Sequence, residues 1–393
     1  AIIVGDNGFI QEGGTFEGGT QSMTINGSLA ISNGSFKATS GVLSVKGDFT
    51  RRGGTWNANN GTVIFTSETV GKTITTKTAS CNNVTFNGAG GGWVLQDSLT
   101  VAGNLGITTG ELDTRAGIGN SINVGGNWTN SGGTFHPQNG TVTFNGVATG
   151  KTITSGTSAF HHLTISGSGS WRLIDAMDIN GNFTLSNGTL NADGKAMAVG
   201  GNWVRTGGTF TSNNNTVTFD AGTDATITSG GQSFSSVTFN HAGSTWVLQD
   251  AFIATRDLVI SAGTLDVKAD SYPVTVGRTW TNSGNFLARS GTVTFNGTTS
   301  ATITSGTSSF NHLTFNGSSG SWIIQDALDI NGNLTITAGT LDAKLNSNHP
   351  ITVAGHWTNS GTFIAREGTI TFDGEAGAKN ITAGSSLYHV IFN

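Results

Sequence analysis

The chain has 393 residues, of which only 10% are charged, with 18 basic and 23 acidic side chains giving a net charge of −5. There is no basic block to track a phosphate backbone, which argues against nucleic acid as a partner. The single cysteine, Cys81, excludes an intrachain disulfide framework, and no apolar run approaches the ~20 residues of a membrane-spanning helix.

From the N-terminus onward, short alternating runs of Val, Ile, Thr and Phe are broken by Gly and Asn, and no stretch carries an apolar stripe at helical spacing. The pattern predicts an almost entirely β protein. One motif returns along the chain: TVIF from Thr62, TVTF from Thr141, Thr216 and Thr292, and TITF from Thr369. Its copies are spaced at roughly 75–79 residues, and so regular a period describes an array of one unit rather than unrelated domains. The sequence repeats run over 61–139, 140–214, 215–290 and 291–367, with partial copies at 1–60 and 368–393.

A finer step lies inside each repeat. Apolar anchors recur at Met23, Leu43, Val63, Val84, Leu99, Ile122, Val142 and Leu163, and onward to Ile370 and Val390. The mean step between neighbouring anchors is about 19 residues. The steps are unequal in a repeating way: from Val293 the anchors are Leu313, Leu328, Ile351 and Ile370, with the shortest step after Leu313 and the longest after Leu328. This predicts one continuous β-solenoid over 1–393, a right-handed parallel β-helix of about 20 coils of about 19 residues, four coils to each repeat. Residues i and i+2 of each anchor strand face inward, and the following Asn-Gly or Ala-Gly turns the corner. One coil buries too few apolar groups to offset the ordering of its own backbone, so coils must share a core.

Tryptophan is the first candidate for chemistry. One series, Trp93, Trp171, Trp246 and Trp322, is flanked by Leu, Val and Ile and reads as core. The other, Trp128, Trp203, Trp280 and Trp357, lies in GNW, GRTW and GHW contexts, with Trp56 at the matching place in the first partial repeat. These rings either fill wide parts of the core or form a row of platforms that stack on glycans. Asp97, Asp175, Asp250 and Asp326 each follow a Trp of the first series by four positions. Their wide separation argues against an acid–base pair, and a repeated Asp is more simply a turn former that bonds backbone N–H groups.

Asp220 and Asp224 occur in one repeat only and read as a solvated loop. His162, His312 and His389 stand just before anchors, which points to a strand-edge role. The His161–His162 pair should face opposite sides of a strand, an arrangement that does not suit a shared metal. No motif calls for a catalytic residue, a cofactor or a metal.

The coil length, the Gly/Asn/Thr/Ser-rich composition and the scarcity of Cys resemble the β-helical shafts of filamentous haemagglutinin-like proteins and autotransporter passengers. The resemblance is architectural and covers nearly the whole chain, although the NPNG-type secretion motif of two-partner haemagglutinins is absent. Similar low-charge β repeats occur in surface-layer and sheath proteins. The resemblance implies a non-enzymatic, extracellular structural protein that self-associates end to end or side by side into a cell-surface filament, sheath or stalk. The alternatives are an adhesin that binds glycans or host surfaces along its side face and a β-helical polysaccharide-degrading enzyme.

Overall fold

The computed structural model describes residues 1–375 and 377–393. The described chain is all-β, with parallel strands stacked into a β-solenoid of about 20 turns. It divides into two compact units: Ala1–Lys195 with Thr206–Thr211, and Ala196–Arg205 with Ser212–Asn393.

In the first unit a turn consists of three short strands. Met23–Ile25, Leu29–Ile31 and Ser35–Lys37 form one turn, and Val42–Val45, Phe49–Arg51 and Thr55–Asn57 form the next. Met23 pairs with Leu43, Leu29 with Phe49 and Phe36 with Trp56, so each strand adds to its own wall. Alternation decides what is buried. Met23 and Ile25 are fully buried while Thr24 between them points outward, and Leu29 and Ile31 repeat the pattern on the second wall.

Strand register corrects the expected bookkeeping of turns. Val84 and Leu99 do not stack on each other: Val84 pairs with Leu105, and Leu99 pairs with Ile122. The short step from Val84 to Leu99 therefore passes from one wall to another within the solenoid cross-section and is not a turn. Full turns are themselves unequal, as short as Val274 to Val293 and as long as Trp128 to Ile153.

The sequence repeat, expected to hold four coils, is three turns and two further walls. From Val63 the stack climbs through Val84 and Leu105 to Trp128; the chain then crosses the Phe135 wall and reaches Val142 on the third wall, stacked on Ile122. In the second unit the stack from Val217 through Val237 and Leu258 reaches Trp280 before Phe286 and Val293 occupy the other two walls. The stack from Val293 through Leu313 and Leu334 to Trp357, followed by Phe363 and Ile370, does the same. Successive copies of the TVTF motif within a unit consequently lie on different walls.

The core is built from aromatic pairs one turn apart. Phe65 stacks on Phe86 at 5.2 Å, Phe219 on Phe239 at 5.3 Å and Phe295 on Phe315 at 5.4 Å, with ring planes within 16° of parallel. In-register parallel pairing brings identical rings to this separation, and such contacts add about 0.5–1.5 kcal/mol beyond area burial. Trp93, Trp246 and Trp322 tilt against these pairs and are completely buried. The turn that follows must leave them room. A Cβ on Gly263 (φ +79°) would lie 2.7 Å from Cζ3 of Trp246, and one on Gly339 (φ +83°) 2.9 Å from Cζ3 of Trp322.

Gly263→Ala combines this overlap with a left-handed backbone and should destabilise the second unit by about 2–4 kcal/mol. Gly222→Ala, whose Cβ would meet only the His241 ring at 3.9 Å, should change stability by less than about 0.5 kcal/mol. Chemical denaturation of the two variants checks both values.

Candidate functional site

Of the two roles open to the second tryptophan series, core filling and surface platforms, the structure places all four rings in the core. Trp128 and Trp203 are 1% exposed and Trp280 and Trp357 0%, so none offers a ring face to a glycan. Each follows a strand-edge residue at the first inward position of its strand, where the alternation of a half-buried wall turns it inside. Trp128 packs edge-on against Phe135 at 4.9 Å, Trp280 against Phe286 at 4.8 Å and Trp357 against Phe363 at 5.0 Å. The first series is equally interior; Trp171 donates its indole N–H to the Gly126 carbonyl at 3.1 Å and carries Lys151 Nζ 4.7 Å above its ring. Trp56 is half-buried, stacked on Phe36 at 5.5 Å.

The repeated aspartates act between turns. Asp175 Oδ1 accepts the Ser155 N–H at 2.9 Å and lies 3.0 Å from the Ser155 hydroxyl, while Oδ2 accepts the Gly156 N–H at 2.7 Å. Asp326 repeats this with Ser305 and Gly306, and Asp250 with Ser229 and Gly230. Asp97 holds the amides of Thr76 and Lys77. These side chains do bond backbone N–H groups, but those of the preceding turn rather than of their own corner. A carboxylate receiving two amides and a hydroxyl locks a loop that would otherwise leave donors unpaired.

A second series runs along the residue just before each stacked anchor. In the first unit Asn83 Oδ1 accepts the Asn104 N–H, Asn104 Oδ1 the Asn127 N–H and Asn127 Oδ1 the Thr152 N–H, each at 2.8 Å. His162 takes the same position, its Nδ1 accepting the Asn182 N–H at 2.9 Å. In the second unit the order is His312, Asn333, His356 and Asn380, linked at 3.0, 2.9 and 2.9 Å. The strand-edge position read from the sequence for His162 and His312 thus becomes a cross-turn acceptor. His356 holds the same position before Trp357, which the anchor spacing did not include and which only the stacking on Leu334 reveals. His389 packs edge-on against Tyr388 at 4.6 Å.

The His161–His162 pair, expected on opposite faces, instead packs ring against ring at 4.3 Å. His161 lies outside the strand that begins at His162, so strict alternation does not govern it. Asp220 and Asp224 lie in the expected loop, between Thr216–Phe219 and Ala225–Thr228, with Asp224 exposed but Asp220 half-buried. Asp224 Oδ1 accepts the Thr245 N–H at 2.9 Å, and burial raises the Asp220 carboxyl above its ordinary range against the opposing pull of His241. His241 Nδ1 is 2.9 Å from Ser244 Oγ, yet that hydroxyl is buried and donates to the Ala221 carbonyl at 2.6 Å, so it presents no nucleophile. Among the described residues, no three His, Cys, Asp or Glu side chains are grouped to hold a metal, and no helix is long and apolar enough to cross a membrane. The Cys81 thiol is buried and pushed up to about 12 by desolvation, which keeps it un-ionised and unreactive.

Two ion pairs escaped the sequence reading because their partners stand a full turn apart along the chain. Arg289 grips Asp266 with Nε and Nη2 at 3.0 and 2.7 Å, and Arg366 grips Asp342 at 2.8 and 2.6 Å. Both carboxyls are held below the ordinary range, chiefly by the guanidinium hydrogen bonds. No protein-family model matches the chain, and neither the curated proteins nor the solved structures searched contain a match.

Asp250→Ala removes the acceptor for two amides and should destabilise the second unit by about 1–3 kcal/mol, with Asp250→Asn intermediate; denaturant midpoints test the order. A carboxyl with a depressed folded pKa contributes stability that is present above its ordinary value of about 3.9 and lost as pH falls through the folded value. Arg289→Gln and Arg366→Gln should therefore begin acid unfolding at higher pH than the unsubstituted chain, as read by circular dichroism during acid titration.

Proposed function

We propose that the chain is a non-enzymatic extracellular structural protein, a β-solenoid that self-associates into a cell-surface filament, sheath or stalk in the manner of the haemagglutinin-like and autotransporter shafts its sequence resembles. One observation carries this reading: the repeated aspartates and the pre-anchor Asn and His side chains are spent on stacking. The Asp97, Asp175, Asp250 and Asp326 carboxylates bind amides of another turn, and the pre-anchor Asn and His side chains do the same. Residues repeated for binding or catalysis would instead be expected to project from the wall. The outward positions are largely Thr, Ser and Asn, uncharged groups suited to a protein exposed to varying salt outside the cell.

A side-face adhesin remains the second reading, carried by a different feature now that the tryptophans are interior. Thr275, Thr294, Thr314, Thr335, Thr358 and Thr382 are outward residues of paired strands in the second unit. Their single column would supply methyl and hydroxyl contacts to a flat saccharide surface.

Negative-stain electron microscopy across a concentration series separates the two readings. Ordered polymers that grow with concentration are expected; single particles at the highest concentration, together with glycan-array binding lost on Thr314→Val and Thr335→Val, would replace the structural reading with the adhesin.

A further inference from the structure

The pre-anchor ladder contains a choice of side chain that stacking alone does not require. Most turns fill this position with a side chain whose oxygen accepts the next turn's N–H: Asn83, Asn104 and Asn127 in the first unit, Asn202 and Asp257 in the second. Three turns use imidazole instead. The Asn182 N–H points to His162 Nδ1, the Asn333 N–H to His312 Nδ1 and the Asn380 N–H to His356 Nδ1, at 2.9, 3.0 and 2.9 Å. A backbone amide can only donate, so each Nδ1 must offer its lone pair. Each ring is then neutral with its proton on Nε2. Protonation of Nδ1 would set N–H against N–H and leave the receiving amide without its acceptor.

We infer that His162, His312 and His356 are acid-release points in the turn-to-turn seam: neutral imidazole closes the seam, and protonation of the ring opens it locally while Asn-held turns stay shut. In the second unit the release points alternate with Asn333 in one uninterrupted run from His312 to Asn380, so acid weakens two of three successive links there.

The charged or titratable groups on the adjoining strands and turns are few. They include His161 and Asp178 around His162, Arg289 and Asp329 around His312, and Asp329, Asp373, Glu375 and Lys379 around His356, with Asp342 at the far end of the strand Leu334–Asp342 that adjoins the last two and held there by Arg366. Around His162 the geometry favours the neutral form, because burial and then the neighbouring His161 lower its pKa. With a depressed folded value, the link is fully present above the ordinary imidazole pKa of about 6.5 and is lost as pH falls through the folded value.

Hydrogen exchange of the full chain between about pH 5 and 8, corrected for intrinsic rates, tests the seam. Protection of the Asn182, Asn333 and Asn380 amides should fall about fivefold on acidification, one hydrogen bond's worth, while the Asn104 and Asn127 amides keep theirs. His162→Asn, His312→Asn and His356→Asn adopt the side chain other turns already use, and each should abolish the pH response of its own partner amide. Equal loss at His-held and Asn-held amides in the unsubstituted chain would overturn the inference without recourse to any variant. So would an unchanged pH response in the Asn variants.

Discussion

In a parallel solenoid every residue has its counterpart about 4.8 Å above and below it on the same wall. That spacing follows from backbone pairing and cannot be relaxed at one position without losing hydrogen bonds on both sides. Identical carboxylates or ammonium groups stacked at this distance would repel, whereas Thr, Asn and aromatic rings tolerate or gain from it. A chain with 10% charged residues and columns of Thr, Phe and Asn meets this condition. Two carboxylates that enter the stacks are neutralised across turns, Asp266 by the fork of Arg289 and Asp342 by that of Arg366.

The mismatch between repeat and turn has a packing consequence. Three turns plus two walls per repeat place each new TVTF strand on a different wall, so the stacked Phe pairs enter the core from different sides. Were the repeat a whole number of turns, the Phe pairs of every TVTF motif would project from the same wall. A displaced repeat distributes volume around the cross-section, which a core at crystal-like density requires. The Gly263 and Gly339 notches against Trp246 and Trp322 show the local accommodation.

The cross-turn acceptors divide into two chemical classes with the same geometry. Amide and carboxylate oxygens at Asn104, Asn333 or Asp175 and imidazole nitrogens at His162, His312 and His356 all receive a backbone N–H from another turn. Geometry alone therefore does not distinguish a permanent link from a titratable one. The difference lies in the acceptor's proton affinity, which places imidazole alone within the range of mild acidification.

Sequence periodicity by itself determined the all-β class, the solenoid and the inward facing of Val84, Phe86, Leu313 and Phe315, because alternation along a strand and recurrence between strands are local, one-dimensional properties. It also marked His162, His312 and the repeated aspartates as structural. Only the tertiary structure decided which anchors share a wall, since a short interval such as Val84 to Leu99 looks the same whether it rounds the solenoid or merely crosses a corner. It likewise decided that Trp128, Trp203, Trp280 and Trp357 face inward, that His161 packs on His162, and that Asp266 finds Arg289. Each of these depends on which residues one full turn apart come into register. Turns as unequal as Val274 to Val293 and Trp128 to Ile153 leave that register unreadable until the chain is closed around its core.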